Sequence, residues 1–120
     1  MPGKYVVSLT CAKDDPDRAT VAFVVANAAV ASDKETVVFL STEGTRLSQK
    51  GYAEAVHEDG FAPLMELMTN FAKAAGTIYV CSPFFKKRGL DEKNLVAGAV
   101  IVGGAKLVEF MSDGAPSVSY

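Results

Sequence analysis

The sequence has little of what metal, nucleotide and hydrolase chemistry is commonly built from. One histidine, His57, and two cysteines, Cys11 and Cys81, are all the imidazole and thiol it holds in 120 residues. A structural zinc site draws four such ligands, often as Cys-x-x-Cys pairs, so no metal is expected. Two cysteines also cannot build a disulfide framework of the secreted kind. The sequence contains neither a Gly-rich Walker or dinucleotide fingerprint nor a Gly-x-Ser-x-Gly elbow. Nucleotide and serine-hydrolase chemistry therefore lack an anchor, and no cofactor is expected. Charge of one sign is scarce too: 12 Lys and Arg face 14 Asp and Glu, a net charge of −2. A nucleic-acid partner would call for a basic face or stripe, and the only dense basic run is Lys86-Lys87-Arg88. The longest apolar stretch, Val21 to Ala31, is interrupted by Asn27 and falls short of the roughly 20 residues of a membrane span. No targeting pattern precedes the strand-like run that begins at Lys4. These absences predict a soluble, cytoplasmic protein with no membrane span.

What is present is a globular balance, 49% apolar and 22% charged residues, enough for one domain over residues 1–120. Lys4 to Leu9 reads as a buried first strand, with Thr10 and Cys11 at its carboxyl end. Asp15-Pro16-Asp17 is a helix start: a capping carboxylate, a proline suited to the first turn, and an acid at the positive end of the dipole. The helix runs to about Ala31 and is apolar nearly all round, which implies cover on two sides; a second subunit is the expected second cover. Glu35 to Leu40 is the second strand, and Ser41-Thr42-Glu43-Gly44 follows at the same edge as Cys11. A short helix is expected over Arg46 to Tyr52, then a polar stretch to Gly60. Pro63 opens an amphipathic helix with Leu64, Met65, Leu67, Met68, Phe71, Ala72 and Ala75 inward, ending at Gly76.

Thr77 to Val80 is the third strand. Asp91 is expected to cap a short helix through Leu95, and Gly98 to Val102 is the fourth strand. A last helix follows from Ala105 to about Met111 with Leu107, Val108 and Phe110 buried, then a short edge strand over Pro116 to Ser119. Alternating strands and helices predict an α/β fold, a three-layer α/β/α sandwich around a mostly parallel five-stranded sheet. Parallel strands joined by right-handed crossovers put their carboxyl ends on one rim. Cys11, Ser41-Thr42-Glu43 and Cys81 should share it.

Cys81 ends the third strand, and Ser82-Pro83 then opens a basic, helix-like turn through Lys86, Lys87 and Arg88. Ligands of open α/β sheets collect at strand carboxyl ends, and a helix start with nearby cations favours a thiolate. Cys81 is thus the candidate nucleophile, against the alternative of an inert core cysteine. Cys11 could serve as a second, resolving thiol. Thr10, Ser41, Thr42, Glu43 and Ser82 are candidate rim ligands, and Lys86, Lys87 and Arg88 candidate thiolate-stabilising or partner-steering cations. His57, beside Glu58 and Asp59, reads as a solvated loop residue.

The ordered set of segments resembles the DsrE/DsrF/TusD-like family of small sulfur-relay proteins over nearly the whole chain. It rests on Asp14-Asp15-Pro16-Asp17-Arg18-Ala19, Val38 to Gly44, Pro63-Leu64, Val80-Cys81 through Lys87-Arg88-Gly89-Leu90, and Gly98, Val100, Gly103 and Leu107-Val108-Glu109. The resemblance implies a DsrEFH-like sandwich assembled into dimers, trimers or hexamers. It also implies that a cysteine at the end of the third strand, here Cys81, carries sulfane sulfur as a persulfide between a donor and an acceptor protein. Several relatives have a second cysteine three residues on, where this chain has Phe84. The activity expected is sulfurtransferase-like carriage; the alternatives are a non-catalytic oligomer binding a small ligand or partner, and a Cys11/Cys81 redox sensor.

Overall fold

Five strands form one parallel sheet in the computed structural model, which describes residues 3–120. The elements are β1 (Lys4–Leu9), α1 (Pro16–Ala31), β2 (Glu35–Leu40), α2 (Leu64–Lys73), β3 (Thr77–Cys81), α3 (Ser82–Lys87), β4 (Ala99–Val102), α4 (Gly104–Met111) and β5 (Ser117–Ser119). Their order across the sheet is β4-β3-β2-β1-β5. The chain thus steps in one direction from β1 to β4, then returns past the whole sheet to β5. Right-handed crossovers put the outward steps on one face and the return on the other. Accordingly α1 and α2 pack on one face, over Val7, Leu9, Val38, Leu40, Ile78 and Val80. On the opposite face α4 packs its Phe110 against Val6, Val37, Tyr79 and Val102. The alternation is the period of two of a strand whose faces are both covered.

The predicted second cover of α1 is found within the chain. α2 lies against it: Phe23 of α1 meets Phe71 of α2 edge to face, centroids 5.9 Å apart. Asn27 crosses the junction, its Nδ2 donating to Leu67 O at 3.0 Å. The helix touches the sheet on one side and α2 on another, so its apolarity does not require a second subunit. Its start is as expected: Asp15 is the N-cap and accepts from the Arg18 amide.

Four local expectations are corrected. The helix foreseen over Arg46 to Tyr52 is a 3₁₀ turn over Thr42–Ser48. Hydroxyls explain its tighter winding, since Thr45 Oγ1 donates to Thr42 O and Ser48 Oγ to Thr45 O, both three residues back. Asp91 starts no helix; its carboxylate takes the Lys93 amide and closes a turn. Ala75 is not on the inner face of α2 but past its end, exposed, at φ 70°. Val108 is 67% exposed, because the stripe of α4 facing the sheet holds Leu107, Phe110 and Met111, and Val108 lies a quarter turn away from it.

Candidate functional site

Cys81 is the last residue of β3 and the N-cap of α3, half-buried, with extended backbone and no side-chain bond to the helix it opens. The sequence builds that corner simply. Ile78, Tyr79 and Val80 are buried in the sheet, Pro83 removes a ladder donor and fits the first helical turn, and Phe85 drops into the core. By strand parity Cys81 falls on the side of Tyr79, the α4 side. Its ladder partner on β4 is Val102. The two residues after Val102 are Gly103 and Gly104, the N-cap and first residue of α4. Neither has a positive φ, and a Cβ on either would meet nothing within 4 Å. The thiol corner therefore stands beside a turn with no side chains. Nothing in the sequence places these two glycines near the thiol; their place beside Cys81 depends on the β3–β4 register.

The cations lie elsewhere than beside the sulfur. Lys86 and Lys87 occupy the last turn of α3, exposed, where they complement the negative end of the helix. Arg88 turns to the neighbouring loop and donates Nε to Glu43 Oε1 at 2.9 Å. Arg46 donates Nε to Glu43 Oε2, also at 2.9 Å. Arg88 holds the Glu43 carboxyl below its ordinary value of 4.5, desolvation opposes, and Arg46 adds to the lowering. A depressed carboxyl stabilises the fold above its unfolded value, and the gain is lost as pH falls through the folded value.

The strand order brings the other rim residues together. Thr42 Oγ1 donates to Thr10 O at 2.8 Å, joining the loops after β1 and β2. Thr10 Oγ1 donates to Tyr120 O at 3.0 Å, so the point where the strand order reverses, between β1 and β5, is occupied by the chain itself. Ser41 is half-buried, and its carbonyl accepts the Gly44 amide at 2.9 Å. Ser82 lines a cleft of about 670 Å³ with Phe85, Lys86, Leu90, Lys93 and Ile101. Cys81 is not among the residues lining that cleft. His57 is exposed, with Nε2 2.9 Å from Phe61 O, and takes no part in the rim. Next to it, Glu58 has its carboxyl raised, chiefly by Asp17 at the start of α1.

Cys11 is buried, 8% exposed, in the cluster under α1 and α2. It follows β1, and β2 lies between β1 and β3. Two ladder spacings separate those strand axes by about 9.5 Å, whereas a disulfide needs Cα atoms within about 7 Å. Mild oxidation is therefore expected to leave both thiols free within one chain. Thiol counting on the denatured protein checks this, and a reducible internal crosslink would contradict it.

Residues 3–118 match the DsrE/DsrF-like family. The chain belongs to that family. Two uncharacterised proteins of Methanocaldococcus jannaschii are relatives. MJ0989 is 27% identical over 110 residues, 92% of this chain and 93% of that protein. MJ0760 is 28% identical over 103 residues, 86% of this chain, which spans only 38% of that longer relative. Among solved structures, YchN from E. coli superposes with a TM-score of 0.78 at 13% identity, covering 98% of this chain and 99% of that one. MTH1491 from Methanobacterium thermoautotrophicum, a protein of unknown function, gives 0.73 at 15% identity, covering 98% and 100%. At such identities the superpositions speak for the fold, and the fold is that of the DsrE/DsrF-like proteins.

Proposed function

We propose that this DsrE/DsrF-like protein is a sulfane-sulfur carrier with Cys81 as the sulfur-bearing thiol. One observation carries the reading: the half-buried sulfur sits where a strand ends and a helix begins, beside a turn without side chains. In the reaction, the Cys81 thiolate attacks the outer sulfur of a donor persulfide, R–S–SH. The S–S bond of the donor breaks, a new one forms at Cys81, and R–S⁻ leaves as a thiolate. The sulfane sulfur keeps its oxidation state, so no oxidant, metal or organic cofactor is needed. An acceptor thiolate takes the sulfur off by the same exchange. Access favours the step, as does the absence of a neighbouring thiol able to discharge the persulfide internally. Lys86 and Lys87 sit in the last turn of α3 and Arg88 pairs with Glu43, so none of the three cations is assigned to the sulfur. Two unpaired cysteines suit the reducing cytoplasm.

The test is intact mass after incubation with a low-molecular-weight persulfide. Gain of sulfur that a reductant removes supports the carrier; no gain, with Cys81 also inert to alkylation in the folded protein, defeats it. The second reading, a binding module without sulfur chemistry, draws on the cleft beside α3, which excludes Cys81.

We also assign the α4 side of the sheet as the face on which copies associate. Val100 of β4 and Val108 of α4 expose 49% and 67% of their surface there, large values for valine. Val108→Asp is expected to lower the oligomeric state at micromolar concentration without changing the far-UV spectrum. Sedimentation equilibrium checks it, and an unchanged mass would remove α4 from the interface.

A further inference from the structure

α3 has six residues, too few to be stable alone in water. Its tether to the core is Phe85, 5% exposed. Its C-terminal end is closed by Gly89 at φ 60°, with the Leu90 amide on Phe85 O at 3.3 Å. Its side-chain tether to another segment runs through Arg88, whose guanidinium lies 5.6 Å from the Phe84 ring centroid while Nε bonds Glu43. Of the five ion pairs among the described residues, three join neighbours three apart on the chain. Only Lys4–Asp113 and Arg88–Glu43 join distant segments. The Arg88 side chain is 14% exposed, and its Nη1 is buried with no partner among the described residues. A desolvated cation of this kind depends strongly on its one carboxylate.

The other half of the pair is fixed from three directions. Thr42 holds φ 50°, an unusual value for a β-branched residue, and its hydroxyl is bonded to Thr10 O. Gly44 lies so near β1 that a Cβ would stand 2.4 Å from Leu9 O. Arg46 occupies the second carboxylate oxygen. Glu43 is therefore held on the rim by contacts that do not involve α3.

We propose that Glu43 is the positioning residue for Cys81: by gripping Arg88 it holds α3, and the thiol at its N-cap, in place against the β4–α4 turn. The significance for transfer rests on the carrier reading above; the grip itself does not.

The test compares wild type with Glu43→Ala and Glu43→Gln, reading amide exchange of residues 82–90 and the alkylation rate of Cys81 across pH. Loss of a charged hydrogen bond is expected to speed exchange there about tenfold. β1 and β2 should stay unchanged. The Cys81 alkylation rate should shift at least about threefold, with Glu43→Gln, which keeps an acceptor, between the two. Arg88→Met removes the pair from the α3 side and should reproduce the effect if the rim variants fold poorly. Exchange and alkylation equal to wild type in Glu43→Ala and Arg88→Met would overturn the proposal. Failure of wild type to take up sulfur defeats the carrier reading only, because exchange of 82–90 still reads the grip.

Discussion

Cys81→Ala is expected to take up no sulfur from a persulfide donor, while wild type should gain sulfur that a reductant removes. The expectation follows from how the two thiols are placed. Cys11 is 8% exposed within the main core, out of reach of a donor in the folded protein. Cys81 is half-buried at the rim, beside the side-chain-free Gly103-Gly104 turn. The substitution is also mild for the fold. As N-cap, Cys81 makes no side-chain hydrogen bond to α3, so alanine loses none. A stability change within about 0.5 kcal/mol is expected, because this cap position is half-buried and contributes no capping hydrogen bond to lose. Loss of loading then reports chemistry rather than unfolding. Sulfur retained on Cys81→Ala and lost from Cys11→Ala would transfer the role to Cys11. Retention in both variants would mean that neither thiol alone is the carrier.

Phe71→Ala is expected to cost about 3–5 kcal/mol, the usual range for a fully buried phenylalanine. At this chain length that lowers Tm by roughly 10–20 °C. Phe71 is 0% exposed and joins three elements. It meets Phe23 of α1 at 77° between ring planes, and its carbonyl accepts the Gly76 amide at 2.9 Å where the chain leaves α2 for β3. Its ring also explains Gly76, where a Cβ would stand 2.4 Å from Phe71 Cε1. The two positions are thus coupled. Gly76→Ala should destabilise wild type through overpacking, about 1–3 kcal/mol, and cost much less once Phe71 is alanine. Thermal melts of the two single variants and the double variant check both statements. Additive losses would show that the ring and the glycine are not in conflict.

Local chemistry made much of this molecule readable. Short β-branched runs marked β1, β2 and β3, Asp15-Pro16 opened α1, and their alternation gave a parallel sheet with its carboxyl ends on one rim. Ala75 shows the limit: Gly76 was read as the stop of α2, yet Ala75 takes the left-handed turn, because Gly76 is needed for the approach of Phe71. Propensity names the breaker, but packing decides which residue bends.

The candidate site divides in the same way. That Cys81 ends β3 and opens a helix follows from Ile78 to Pro83, since each residue there has a local reason for its conformation. Where the three cations go does not. Lys86-Lys87-Arg88 are adjacent in sequence, yet one and a half turns of α3 carry them away from the sulfur, and Arg88 pairs with Glu43, 45 residues earlier. The cover on α1 was likewise foreseen as a need but not as α2, because a hydrophobic pattern demands burial without specifying the surface that supplies it. Alone, the sequence determined the elements, the parallel sheet and the thiol at its rim. Only the tertiary structure decided strand neighbours, and with them the Gly103-Gly104 turn beside Cys81, the separation of Cys11 from it, and the Glu43–Arg88 grip, because pairing between distant segments depends on packing that no local propensity encodes.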